Sequence, residues 1–488
     1  MNIRNYNHSR PLDVHLSSNH PEVNNFINAI YDQHFNSPTT NQRIVKKHLK
    51  TVLLDLYVAW HKDPNLNISV HMSPNAYSDG TLFSKGKSRY NHLNIKRTII
   101  DVIHKLVEVG LVGFKSGFEG RLSRIWSSDP LIEYFKKALF DEFDIGYSED
   151  REVIILKDED KVEIEYKDTA TTNEMRTVVQ QYNALLRESF IDIPTLETPV
   201  IPYKDQLISM GQHDKFVRRI FNNNSFEEGG RFAGGWWQKI NEKQRSRILI
   251  NDNPTVEIDF KALHPILAYA TKDIDYWETA SVVSNAVHDP YDIPVDKIDD
   301  AEARRSLVKL LFLMALNAKD ETKACQAVIG KWDYSKYPYH GLFTHDYLAR
   351  LLGTIKEYHS PIADLFCTGA GINLMNTDSQ IVEYIVKDFT EARIPILTIH
   401  DSFVVPFGLE DRLHTQMQTA FEWITGNHNI KTKFNTNMTV ARLHEFKYGT
   451  GMDREYYLSN VQQLQRDRCK GYLERLDKHQ SYFRHSKF

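Results

Sequence analysis

Apolar positions along the chain alternate between helix spacing and strand spacing, and the switches outline its parts. From Asn41 onward, Val45, Leu49, Val52, Leu53, Leu56 and Trp60 recur at helix spacing, up to a turn at Asp63-Pro64-Asn65. The residues before Thr40 are polar and turn-rich, which predicts a loosely held lead-in with one short helix near Val23–Tyr31. A further helix is predicted from Ile95 to Val109, with Asn94 as its N-cap, Gly110 at its end and Ile99, Ile103, Leu106 and Val107 as its apolar face. Leu111–Lys115 and Arg121–Trp126 read as a β-hairpin around Ser116-Gly117-Phe118-Glu119-Gly120. A second hairpin is expected from Asp150 to Lys167, turning at Asp158-Glu159-Asp160-Lys161, followed by a helix over Thr172–Ser189. Pro194, Pro199 and Pro202 then mark a linker, which places a domain boundary between about 190 and 205.

The second half opens with a helix expected over Phe216–Phe221 and the Gly-rich run Glu227-Glu228-Gly229-Gly230-Arg231-Phe232-Ala233-Gly234-Gly235-Trp236-Trp237. Paired glycines let backbone approach a ligand, and Arg231 with two tryptophans suits a phosphate and a stacked base. A Gly-rich turn with a core Trp pair explains the same residues. Thr255–Phe260 alternates as a half-buried strand and gives way to a helix from Ile266, so Asp259 sits at a strand end. Ala301–Ala318 is a helix with Arg305 and Lys309 on one face, able to grip a triphosphate or simply to face solvent. Tyr347–Phe366 is helical with a break at Ser360-Pro361, followed by a loop (Cys367–Asn376) and a helix (Asp378–Thr390). Ile396–Val405 then forms two β-prone arms around a His400-Asp401-Ser402 corner. From Asp453 the chain reads as mostly helical and ends in a basic tail with Arg484, His485 and Lys487.

Two strand-end carboxylates, Asp259 and Asp401, change the picture. A carboxylate on a rigid, half-buried turn is costly unless something positive sits on it. Such a pair can hold Mg²⁺ against substrate phosphates, and two ions about 3.5–4 Å apart stabilise both oxygens of a phosphoryl transfer. With 488 residues, 41% hydrophobic and 25% charged, the chain has the composition of a soluble protein of two or three domains. No long apolar run predicts a membrane span, and the widely spaced Cys325, Cys367 and Cys469 exclude a disulfide framework and suit a reducing, cytoplasmic setting. The net charge of −4 requires any nucleic-acid surface to be local. One such surface stands out: from Lys85 to Arg124 there are nine Lys/Arg (Lys85, Lys87, Arg89, Lys96, Arg97, Lys105, Lys115, Arg121, Arg124) against three acids.

Helices followed by a hairpin over this basic stretch resemble the winged-helix domain, which implies DNA binding through Lys87, Arg89, Lys96 and Arg97; a protein-binding winged helix with a solvated basic face is the other reading. The order of the later elements resembles motifs A, B and C of the right-hand polymerases: family A DNA polymerases and the phage-type single-subunit RNA polymerases. That resemblance covers roughly residues 200 to 450. It implies an α+β fold of palm and fingers (201–488) preceded by a winged-helix-like domain (1–145), with 146–200 between them. It makes Asp259 and Asp401 the metal-binding pair, for two Mg²⁺ or alternatively Mn²⁺, and Arg305 and Lys309 the residues that hold the nucleotide's phosphates. It also implies a DNA template, nucleoside triphosphates and an RNA product or primer as partners. His400-Asp401-Ser402-Phe403 resembles the RNA polymerase branch, and Glu227-x-x-Gly230-Arg231 resembles its Asp-x-x-Gly-Arg template element, with Glu in place of Asp.

Departures occur at Asn317-Ala318, where the families carry Tyr-Gly, and at His264, where DNA polymerases carry Glu. Both positions bear on sugar choice, so ribose and deoxyribose stay open. Asn376 is placed at sugar or minor-groove contact, and His400 beside a carboxylate or a primer end. The sequence thus points to a templated nucleotidyltransferase nearer the RNA polymerases or primases. A family A DNA polymerase, a DNA-binding initiator or regulator with a silent palm, and a two-metal nuclease are the alternatives.

Overall fold

The helix foreseen from Asn41 forms over Gln42–Lys62, with the Asn41 side chain accepting from the Ile44 N–H, and Val45, Leu49, Val52, Leu53 and Leu56 all turned into the core. The computed structural model describes residues 4–35, 41–77, 88–117, 120–203, 206–282, 289–435 and 467–485. Lys85, Lys87, the tip of the first hairpin, Asp453 and Lys487 lie outside the described residues, as do the side chains of Arg484 and His485. The lead-in holds the helix Pro21–His34. The next helix starts later than its pattern suggests, at Thr98, because Asn94 takes a left-handed φ of +52° and turns the chain instead of capping it. That turn leaves Lys96 and Arg97 exposed ahead of the helix. Gly110, at φ +76°, closes it, and the Leu111 N–H reaches back to Leu106 at 3.0 Å. The hairpin Val112–Lys115/Ser123–Ser127 follows, its second arm starting two residues later than expected so that Lys115 pairs with Arg124, and Asn67–Val70 pairs antiparallel with that second arm. Ser9–Pro11 adds a parallel edge to that sheet.

The buried apolar residues divide into two main clusters. One runs from Leu16 to Ile145 and the other from Val153 to Ile430. Arg89 bridges them. Its guanidinium meets Glu152 at 3.3 Å, Asp168 at 3.0 Å and Glu165 at 3.4 Å, and lies 3.6 Å over the Tyr166 ring. Arg176 joins Glu152 and Asp168 from the other side, at 3.1 and 2.7 Å.

The second unit is built on a sheet with the sequence Leu397–Ile399, Ser402–Pro406, Asn253–Phe260, Leu249–Ile250, Ile191–Asp192, with Thr432–Asn435 also pairing Asn253–Phe260. The proline-marked stretch is therefore structural. Ile191–Asp192 is the sheet's last strand, and Val200–Tyr203 forms a hairpin with Gln206–Ser209, where Pro202 occupies an edge strand that tolerates a missing N–H. The final helix, Lys470–His485, docks on that edge through Arg475, which grips Asp192 at 2.8 and 3.0 Å.

Three local expectations change. Phe216–Phe221 is a strand, Val217–Asn222, antiparallel to Ser225–Gly234 and parallel to Ile154–Leu156. Its inward side carries Val217, Arg219 and Phe221, so a buried arginine disguises the two-residue period. The second hairpin does turn at Asp158–Lys161, but Ile154–Leu156 spends its pairing on Val217–Asn222 and the return arm makes only a bridge, Lys157 to Glu163. The helix placed at Asp378–Thr390 begins at Gly371 and runs to Glu391, so Asn376 is helical, not in a loop.

Candidate active site

Asp259 lies near the end of the strand Asn253–Phe260, opposite Ser402 on one side and Lys433 on the other. Asp401 occupies the two-residue turn between Ile399 and Ser402, which pair directly. His400 takes the left-handed conformation there, φ +56°. Both carboxylates thus come to one end of the sheet, and the Phe260 N–H contacts the Asp401 carbonyl at 3.4 Å. Among the described residues neither carboxylate accepts a hydrogen bond from a side chain or N–H. Burial, then the charge of Asp401, pushes the Asp259 carboxyl up to about 7, against the opposing pull of Lys309 and Lys433. Glu257, two residues back on the same strand, is committed elsewhere: Arg245 binds it at 2.8 and 3.0 Å and Ser402 Oγ donates to it at 2.9 Å. No group of three or more His, Cys, Asp or Glu side chains fit for a metal occurs among the described residues. A pair of carboxylates without hydrogen-bond partners suits a hard cation that completes its coordination with phosphate oxygens and water.

The facing helix is Ala301–Asn317, capped by Asp300, whose side chain accepts from Ala303. Arg305 and Lys309 share its exposed edge. Arg305 Nε donates to Asp289 at 2.7 Å. Lys309 has no ion-pair partner among the described residues, and its charge acts on Asp259 and His264. Asn317 ends the helix, its Nδ2 turned back to Leu313 at 2.7 Å and its side chain packed on Gly371, where an added Cβ would come within 2.6 Å of Oδ1.

A third group closes the site. Gly229 and Gly230 both adopt positive φ, +80° and +85°, in the strand Ser225–Gly234, and a Cβ on Gly230 would strike the Phe221 ring at 2.6 Å and Ser379 Oγ at 2.8 Å. This bend lets the helix Gly371–Glu391 close onto the strand and sets Arg231 against Asp378, at 2.8 and 2.9 Å. Arg231 also donates to His264 Nε2 at 3.1 Å. That bond makes His264 an acceptor, and burial followed by the Arg231 charge holds its imidazole down to about 4. Burial raises the Asp378 carboxyl to about 7 despite Arg231. The His400 ring is held below its usual range by partial burial and then by Arg231. Asn376 Nδ2 donates to the carbonyls of Phe226 and Gly229 at 3.0 and 3.3 Å, so its amide braces the bend, and a sugar or minor-groove contact would have to displace it. Trp236 and Trp237 are fully buried, with Trp237 Nε1 donating to the Thr398 carbonyl at 3.1 Å; they are core, not a stacking platform.

Of the expected DNA-binding residues, Lys96 and Arg97 stand exposed where the helix Thr98–Glu108 begins. The Lys96 N–H donates to His48 Nε2 at 2.9 Å, and this contact puts Lys96 beside Lys47, whose ammonium is lowered by burial and by the charges of Lys96 and Arg43. Arg89 is locked in the clamp to the second unit and is unavailable to a phosphate. Three partners were missed from sequence. Asp378 falls on the stripe of Ile381, Val382 and Ile385, a helix face where an acid reads as a cap unless the helix start is known. Asp289 and Tyr291 precede the Arg305 helix with no pattern of their own.

Comparison with known proteins adds little. No family model matches the chain, and no curated protein matches it in sequence. Among solved structures it matches the polymerase domain of Pol1 from M. smegmatis, described in complex with DNA primer-template and dNTP. The identity is 10% and the TM-score 0.28, over 86% of this chain and 66% of that one, slightly under two thirds of its length.

The raised Asp259 carboxyl carries a pH prediction. A proton on Asp259 would compete with a cation there, so Mg²⁺ held by the pair would bind more weakly as the pH falls below about 7. Titrating Mg²⁺-dependent activity at pH 8, 7 and 6 should show the half-saturating Mg²⁺ climbing toward a tenfold rise per pH unit on the acid side. A flat response would mean that Asp259 does not hold the ion.

Proposed function

We propose that the chain is a template-directed nucleotidyltransferase that binds DNA through its N-terminal unit. The observation that carries this reading is the convergence of two unpartnered carboxylates, Asp259 and Asp401, on one sheet end facing the cationic edge of Lys309 and Arg305. In the reaction, a 3′-oxygen bonds to the nucleotide's α-phosphorus as the bond to the leaving pyrophosphate breaks. The hydroxyl proton goes to solvent. Mg²⁺ held by Asp259 and Asp401 would relieve charge on the attacking and leaving oxygens. Lys309 orients and neutralises the departing phosphates, and Arg305 joins it by exchanging Asp289 for a phosphate oxygen. Arg231, fixed by Asp378, faces the same space with His264 and His400 and is placed to meet the template. The resemblance of the His400-Asp401-Ser402-Phe403 corner to the single-subunit RNA polymerases is the ground for the RNA branch as first reading; a DNA polymerase is the second, and the sugar choice stays open.

The N-terminal unit supports a winged-helix reading. A helix, a strand, a second helix and a hairpin follow in order, and the strand pairs with the hairpin's second arm. Lys96, Arg97, Lys47 and Arg43 form its cationic face. Replacing Lys96 and Arg97 together by alanine should weaken duplex binding evenly across sequences and flatten the slope of log K against log salt by about 2. An unchanged slope would move the DNA contact elsewhere.

The test of function is primer extension on a DNA template with Mg²⁺, run with ribonucleotides, with deoxyribonucleotides and without primer. Extension supports the reading and the preferred set decides the branch. Strand shortening without nucleotides would identify a nuclease. DNA binding with no extension under any condition would identify a binding protein with a silent palm.

A further inference from the structure

Tyr291 precedes the Arg305 helix and is 2% exposed. Its ring meets Phe312 edge-on, 5.7 Å between centroids at 84°. The Arg305 guanidinium and the Lys309 ammonium lie 5.4 and 5.9 Å from its centroid, so the ring is a common bed for both cations. The Tyr291 N–H donates to Asp289 at 3.0 Å, and the same carboxylate receives Arg305 at 2.7 Å. The charges of Asp401, Arg305, Asp289 and Asp259, groups of the candidate active site, all act on the Tyr291 phenol. Among the described residues no hydrogen-bond partner meets that hydroxyl. Burial and the nearby carboxylates hold the phenol well above its usual range, so it stays a neutral donor at any working pH.

A hydroxyl with no protein partner is completed by water or by a ligand. The Tyr291 ring carries two cations suited to phosphate, and the charges of the two carboxylates suited to cations reach its phenol. A group lying there must present negative oxygens to both sides. We propose that the Tyr291 hydroxyl binds the triphosphate of the incoming nucleotide, donating to a non-bridging oxygen between the Arg305–Lys309 edge and the Asp259–Asp401 pair. The inference rests on the nucleotidyltransferase reading and adds a phosphate contact to those of Arg305 and Lys309.

Tyr291→Phe keeps the ring, both cation contacts and the packing on Phe312, and removes only the hydroxyl. Its thermal midpoint should match the wild type. In steady-state extension its KM for the nucleotide should rise about tenfold or more, with kcat within about twofold and the KM for primer-template unchanged. The inhibition constant of inorganic pyrophosphate should rise in parallel. An active wild type with the same nucleotide KM in Tyr291→Phe overturns the inference and leaves the function standing. A fall in kcat alone also overturns it, since the hydroxyl would then serve the carboxylates rather than the phosphates. A wild type that incorporates no nucleotide overturns the function, and the inference with it.

Discussion

Asp401→Asn should lower nucleotide incorporation by about 10³-fold or more while leaving DNA affinity within about twofold. The amide matches the carboxylate in size and keeps the two-residue turn, so the hairpin should stay intact and the loss is one of charge alone. Asp259→Asn should do the same, with one difference. Asp259 pairs with Ser402 and Lys433 across its two neighbouring strands and its carboxyl is raised, so neutralising it removes a raised group without a hydrogen-bond partner among the described residues. The variant should therefore be at least as stable as the wild type even though it is inactive. Incorporation measured at saturating Mg²⁺ and nucleotide, together with a melting curve and a duplex-binding titration, separates these outcomes. Near-normal incorporation by either variant would remove the pair from the chemistry.

Lys309→Ala should raise the nucleotide requirement by about 10²-fold and leave template affinity unchanged, because a charge-assisted contact to phosphate is lost with nothing to replace it. Lys309 is expected to matter more than Arg305 at the first encounter. It is exposed and without an ion-pair partner among the described residues, whereas Arg305 begins in a bond to Asp289 that a phosphate must displace. Lys309→Arg should recover part of the loss. Measuring KM for nucleotide and Kd for template on the same preparation checks the assignment. A defect confined to template binding would place Lys309 on the nucleic-acid side.

The two carboxylates were legible because each lies where a short-range pattern changes, one at a strand end and one at a hairpin corner. The Arg305–Lys309 edge was legible because a four-residue spacing fixes a helix face. What escaped notice depends on distant partners. Arg219 is buried on Glu383 and Ser379, so a charge sits where the strand's two-residue alternation calls for an apolar side chain, and the segment read as a helix. Asp378 lies on a buried helix face that is tolerable for an acid only because Arg231, far away in the chain, comes to meet it. The prolines near 200 looked like a boundary because local punctuation cannot distinguish an edge hairpin from a linker. Arg89 counted toward a basic stripe, yet the acids that hold it lie more than sixty residues later.

That clamp also governs mechanics. Arg89 and Arg176 hold Glu152, Glu165 and Asp168 at the seam between the two cores, with the Tyr166 ring under Arg89. Swinging the first unit away from the second would break Arg89's three ion pairs and uncover Glu152, which is nearly out of solvent. A seam of this kind favours one arrangement of the two units over others. Whatever the first unit grips is presented to the second at one set offset and angle, like a workpiece in a jig.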